Sequence, residues 1–118
     1  KSRSSLLLHE DKFLSVIDLK LYSGKSSNSL SRIKGRVIGY NGKARKVLEE
    51  LTSSSISVYG HYVAIIGTNE QITLAEDAIN ILVSGGAHKT AYNLLQRRKT
   101  KAKLDRFKLW EDSPYVEN

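Results

Sequence analysis

The chain has no cysteine, no methionine, one proline and one tryptophan among its 118 residues. Without cysteine there are neither disulfides nor thiolate metal sites. The three histidines, His9, His61 and His88, lie too far apart in sequence to suggest a metal cluster, so no metal or cofactor is expected. No apolar run approaches the ~18 to 20 residues needed to span a bilayer, and the N-terminus lacks the charged-then-apolar pattern of a signal peptide. The expectation is a soluble, cytoplasmic protein with no membrane partner. A chain that starts at Lys1 and holds no Met is expected to be a processed form or a piece of something longer.

What is present suits one modest domain, with 40% hydrophobic and 26% charged residues. The net charge is +7, and it is concentrated. Arg32, Lys34, Arg36, Lys43, Arg45 and Lys46 fall in one stretch free of acidic residues. Arg97, Arg98, Lys99, Lys101, Lys103, Arg106 and Lys108 fall in another, opposed only by Asp105. Two local patches of this kind attract polyanions and release their counterions on binding, which makes nucleic acid the leading partner class. The competing reading for the C-terminal run is a solvated helix face.

Periodicity gives the elements. Residues 1–13 read as a linker or the end of a missing upstream domain. From Phe13 to Tyr22, Ile17, Leu19 and Leu21 alternate with Asp18 and Lys20, the pattern of a half-buried strand. After a Ser-rich loop, Leu30, Ile33, Val37 and Ile38 recur at helical spacing up to Gly39. Gly35 inside that helix suggests a close backbone approach. Ala44, Val47, Leu48 and Leu51 predict a second helix, with Arg45 and Glu49 as an i,i+4 pair on its exposed side. Ile56 and Val58, then Val63 to Ile66, predict two strands joined at Gly60-His61 by a two-residue hairpin. Thr68 and Gln71 form a capping-box pattern before a helix with core positions Ile72, Ala75, Ile79 and Leu82, closed by Gly85-Gly86. A final helix from about Thr90 packs Ala91, Leu94 and Leu95 inward, turns basic on every side, and should project from the body. A loose acidic tail is expected over 111–118. The order β-α-α-β-β-α predicts an α+β fold, a three-stranded sheet with helices on one face.

The informative segment is Val37-Ile38-Gly39-Tyr40-Asn41-Gly42 between two short helices. Two glycines around two residues permit a tight turn with no Cβ at either glycine to block a sugar-phosphate backbone. The N-terminus of the helix starting near Lys43 offers N–H groups and a positive dipole end to a phosphate, and Lys43, Arg45 and Lys46 reinforce it. A G-x-x-G alone is weak. Inside a β-α-GxxG-α-β-β-α order with basic flanks it carries much more.

With that order in view, the sequence resembles a type I KH domain over residues 14–86, followed by a basic helix over 87–110. In KH domains the GxxG loop clamps about four nucleotides of a single strand. Val37, Ile38, Val47 and Ile56 are the candidate floor of the groove, at least half of them expected to be ordinary core. Further segments narrow the likeness: Val16-Ile17-Asp18-Leu19, Arg32-Ile33-Lys34-Gly35-Arg36, Gly42-Lys43-Ala44-Arg45, Ile56-Ser57-Val58-Tyr59-Gly60, Val63-Ala64-Ile65-Ile66-Gly67 and Ala87-His88-Lys89-Thr90. These are similar to the second KH domain of archaeal ribosome-assembly proteins of the Pno/Dim type. That resemblance implies a factor that holds single-stranded small-subunit ribosomal RNA near the 16S 3′ end. It also implies a Nob-type endonuclease and the alpha subunit of the archaeal initiation factor two as partners.

The residues expected at RNA are Arg32, Lys34, Arg36, Ile38, Gly39, Tyr40, Asn41, Gly42, Lys43, Arg45, Lys46 and Ile56, with Arg97, Arg98, Lys99 and Lys101 from the C-terminal helix. The chain departs from the family in two respects: there is room for one KH domain where the family has two in tandem, and Tyr40-Asn41 is neutral where a basic residue is usual. Tyr40 is expected to stack on a base or sugar, leaving charge neutralisation to Lys43 and its neighbours. No enzyme and no small-molecule substrate is expected, because the histidines have no nucleophile or carboxylate at a catalytic spacing and Asp11 with Asp18 is a poor metal pair. The alternative is a KH scaffold used as a protein-interaction module.

Overall fold

A computed structural model of the chain describes residues 3–9, 11–24 and 26–112. Its elements are strands β1 (Arg3–His9) and β2 (Lys12–Asp18), a helical turn α1 (Lys20–Ser23), helix α2 (Ser27–Ile38), a 3-10 turn (Tyr40–Gly42) and helix α3 (Lys43–Thr52). Strands β3 (Ser55–Tyr59) and β4 (Tyr62–Gly67) and helices α4 (Asn69–Val83) and α5 (His88–Asp112) follow. Without β1 and the turn α1 this is the expected β-α-α-β-β-α order, and β2, β4 and β3 form its antiparallel sheet.

One face of that sheet carries the core. Ile17, Ile56, Val63 and Ile65 point to one side and pack with Ile33, Val37 and Leu48 of α2 and α3, with Ile72, Ala75, Ile79 and Leu82 of α4, and with Ala91 and Leu95 of α5. Ser15, on the same side, donates to a carboxylate oxygen of buried Glu76 at 2.7 Å, a polar contact inside an otherwise apolar layer. The capping box at Thr68 is formed in both directions, satisfying two donors at the start of α4. Tyr59 pairs with Tyr62, so Gly60 and His61 are the two-residue turn, with Gly60 at φ +55.

Four expectations are corrected. Residues 3–9, read as part of a linker or the end of a missing upstream domain, are not a linker in the structure: they form a strand antiparallel to β2, with Arg3 opposite Ile17 and Leu7 opposite Phe13, so the described sheet has a fourth strand in the order β1-β2-β4-β3. The strand predicted over Phe13 to Tyr22 stops at Asp18. There the Asp18 side chain accepts from the Lys20 N–H at 3.0 Å, a local turn that bends the chain into α1 and leaves Leu21 exposed. Gly35 makes no close approach, since a Cβ there would meet nothing within 4 Å. The last helix runs to Asp112, into the segment expected as a tail; residues 113–118 lie outside the described residues. Among the described residues no helix is long and apolar enough to cross a membrane.

Candidate nucleic-acid interface

The turn from α2 to α3 depends on backbone states that favour glycine. The Gly39 N–H closes α2 on the Gly35 carbonyl at 2.7 Å, and Gly39 itself sits at φ 77, ψ 175. A Cβ there would fall 2.5 Å from the Ala44 Cβ and 2.6 Å from the Ala44 nitrogen. Asn41 (φ 54) and Gly42 (φ 74) follow in the left-handed region, which Asn tolerates better than most residues because its short polar side chain can bond locally. Helix α3 then begins with no side-chain cap and no acidic residue in its first turn. The Gly42 and Lys43 N–H groups close the turn on the Gly39 and Tyr40 carbonyls, so what the start of α3 offers an anion is its positive dipole end, with no side chain of its own competing for it. Tyr40, 84% exposed, stands at the tip of the turn, and Asn41, Lys43 and Lys46 are exposed beside it.

The structure separates the sequence-predicted residues into those that reach this surface and those that do not. Arg32 is exposed and Lys34 half-buried on α2, and Ile38 and Gly39 are half-buried at its end. Of the four proposed floor aliphatics, Val37 and Ile56 are core, the latter 1% exposed, and Ile38 and Val47 are half-buried. Ile56 is thus withdrawn as a side-chain contact: on β3 its position alternates into the hydrophobic layer.

Arg36 is a second correction. Its Nε donates to the Leu82 carbonyl at 2.8 Å and its Nη2 donates to the Gly86 carbonyl, while the Arg36 carbonyl lies 2.8 Å from Nε2 of His88. The side chain satisfies carbonyls around the end of α4, a use to which a cation is well suited. Arg45 is also engaged, donating to Glu49 Oε1 at 3.0 Å and to the Ile56 carbonyl at 3.1 Å. The predicted Arg45–Glu49 pair therefore exists, but half-buried against the edge of β3 and not on an open helix face.

The basic C-terminal helix is docked only through its first turns, and residues 96–108 are exposed. Arg97, Lys99 and Lys101 are at the surface, whereas Arg98 pairs with Asp77 of α4 at 2.5 Å. A cleft lined by Asn69, Glu70, Thr73 and Leu74 of α4 and by Arg98 and Lys101 of α5 includes no residue of the 32–46 stretch. The two basic runs therefore do not share that cleft. Leu104 (56% exposed) and Phe107 (64% exposed) accompany the cations on the projecting part.

Three antiparallel strands backed by helices, with two helices meeting at a glycine-bounded elbow, define a type I KH fold. The family comparison agrees: residues 13–100 match the model of the second KH domain of PNO1, described as a eukaryotic-type KH domain (KH-domain type I). The chain belongs to that family. A KH domain-containing protein of Methanocaldococcus jannaschii is 41% identical over 111 residues, covering 94% of this chain and 48% of the relative. The pre-rRNA-processing protein PNO1 of Chaetomium thermophilum is 31% identical over 93 residues, covering 78% of this chain and 36% of the relative. Among solved structures, the a/eIF2alpha-aDim2p-rRNA complex from Pyrococcus horikoshii OT3 contains a chain with a TM-score of 0.72 and 40% identity, covering 80% of this chain and 50% of that one. The chain thus spans half or less of the length of these relatives.

Proposed function

We propose that the chain holds single-stranded small-subunit ribosomal RNA, near the 16S 3′ end during maturation, and does not cut it. The observation that carries this reading is the Gly39–Gly42 elbow, where the uncapped start of α3 opens beside exposed Lys43 and Lys46. In KH domains a GxxG loop clamps the backbone of about four nucleotides, and the reading gives that role to this elbow. The relatives supply the ribosomal context: one is a pre-rRNA-processing protein, and one is in a complex with rRNA and a/eIF2alpha. The same context supports the alpha subunit of the archaeal initiation factor two as a protein partner, with a Nob-type endonuclease proposed from the resemblance alone.

Changing Tyr40→Asp together with Asn41→Asp tests the clamp. Both side chains are exposed, and Asp tolerates the left-handed conformation at position 41, so thermal unfolding should change little. Two carboxylates facing a phosphate at close range should lower affinity for unpaired RNA at least ~10-fold. Undiminished binding by the double variant would show that the loop is not the clamp. A second reading, a protein-interaction module, is favoured by the neutral Tyr40-Asn41 tip and by exposed Leu104 and Phe107. Salt titration separates the two, because RNA affinity falls with a log-log slope of about −0.7 per neutralised phosphate on a single strand.

A further inference from the structure

The edge strand of the KH sheet has its outward main-chain groups at Ile56 already engaged. Strand β3 ends the order β1-β2-β4-β3 and so, among the described residues, has one strand neighbour. The Ile56 N–H donates to Glu49 Oε2 at 2.7 Å, and the Ile56 carbonyl accepts from Arg45 Nη1 at 3.1 Å. The same Arg45 nitrogen donates to Glu49 Oε1 at 3.0 Å, closing a ring of three hydrogen bonds between one turn of α3 and one residue of β3. Charge-assisted bonds of this kind are stronger than neutral ones, so the ring is a real competitor for whatever else approaches.

What approaches an open strand edge is a group with an acceptor beside a donor, and the Watson–Crick edge of an unpaired base is such a group. The Glu49 carboxylate supplies the acceptor and the Arg45 guanidinium the donor, imitating that edge from within the protein. Both side chains are about one-third exposed, at 32% and 27%, so they can rotate into solvent without moving α3. The pair also lies within the helix whose N-terminus receives the phosphate in the reading above.

We propose that Glu49, held by Arg45, is an intramolecular competitor that sets RNA affinity. In the free protein it closes the β3 edge at Ile56; a bound base displaces it, and the released Arg45 turns to the RNA. The proposal rests on the RNA-binding reading and adds to it a closed state that binding must open. Apparent affinity is then reduced by the fraction of molecules that are open.

The test compares Glu49→Ala with Glu50→Ala, using a short unpaired oligoadenylate as probe. Glu50 is the adjacent, exposed carboxylate, and its removal changes the net charge equally. Glu49→Ala should bind at least about fivefold tighter than wild type, and the gain should persist at high salt, because it comes from a vacated hydrogen-bonding position. Glu50→Ala should gain less than about twofold, and that gain should vanish as salt rises. Equal gains in the two variants, or no gain in Glu49→Ala, would overturn the proposal. A measurement on the wild-type chain stands beside this, whatever the folding of the variant. On adding RNA, the Ile56 amide resonance and the Glu49 carboxylate resonance should both move. Movement at the Gly39 and Gly42 amides with none at Ile56 and Glu49 sinks the competitor and leaves the clamp standing. Failure of every protein to bind the probe sinks both.

Discussion

Three glycine-to-alanine changes around one turn should give three different outcomes, each traceable to geometry. At Gly35, inside α2 with open space where a Cβ would stand, alanine gains ~0.5 to 1 kcal/mol by restricting the unfolded chain and favouring the helix. At Gly42 the backbone is left-handed but the space is again open, so alanine costs ~1 to 2 kcal/mol of conformational strain and nothing more. Gly39 combines both penalties. Its φ of 77 and ψ of 175 belong to a region reserved almost entirely for glycine, a strain of ~1 to 3 kcal/mol. The new Cβ would also press into Ala44 at 2.5 Å, against backbone that opens α3 and cannot rotate away, which adds ~1 to 3 kcal/mol of overpacking. Gly39→Ala should therefore cost roughly 2 to 6 kcal/mol, a large share of the ~5 to 15 kcal/mol that holds a domain folded. Urea titration reads this directly, with midpoints moving and slopes staying constant. The RNA affinity of Gly35→Ala should match wild type, and that of Gly39→Ala should fall even where the protein is folded, because the start of α3 is pushed aside. If Gly39→Ala proved as stable as Gly42→Ala, or if Gly35→Ala were destabilised, the reasoning about this elbow would be refuted.

Arg36→Ala should lower stability by about 2 to 3 kcal/mol in chemical denaturation, since it leaves carbonyls of Leu82 and Gly86 without their charged donor. Its RNA affinity should stay close to wild type, and a large binding defect in a fully stable variant would contradict the structural role. Replacing Arg97, Lys99 and Lys101 by Gln should weaken all unpaired RNAs alike and reduce the salt slope by about 0.7 for each phosphate no longer neutralised; a defect confined to one sequence would argue against non-specific binding by this helix. Asp18 bears on acid stability. Its hydrogen bond with His61 Nδ1, at 2.8 Å, holds the carboxyl below its ordinary pKa, helped by the Lys20 N–H and opposed by burial. A depressed folded-state pKa gives stabilisation that is complete above the unfolded value near ~3.9 and is lost as pH falls through the folded one. Asp18→Asn should therefore flatten the fall in melting temperature below about pH 4, and superimposable acid profiles for the two proteins would count against it.

Much of this architecture could be read from local pattern, because the physics involved is local. The stripes of α3 and α4, the Thr68 capping box and the Gly60-His61 turn each depend on residues within one or two turns of each other, and each is present. The Gly39-Tyr40-Asn41-Gly42 elbow is legible for the same reason. Strand β1 is not, since Arg3–His9 has no clear alternation and owes its pairing to β2. The end of β2 is hidden because the alternation of Ile17, Leu19 and Leu21 looks continuous, while one Asp18 carboxylate turns the backbone away.

The basic residues divide on the same principle. Sequence counts charges but does not tell which ones the fold has already used. It brought Lys43, the glycines and Tyr40 together without help, as near neighbours along the chain. Only the folded chain could commit Arg36 to carbonyls 46 and 50 residues away, Arg98 to Asp77, and Arg45 with Glu49 to the edge of β3. Those engagements depend on which backbone groups remain unpaired once the helices and sheet have assembled, and a linear pattern of residue types carries no record of them.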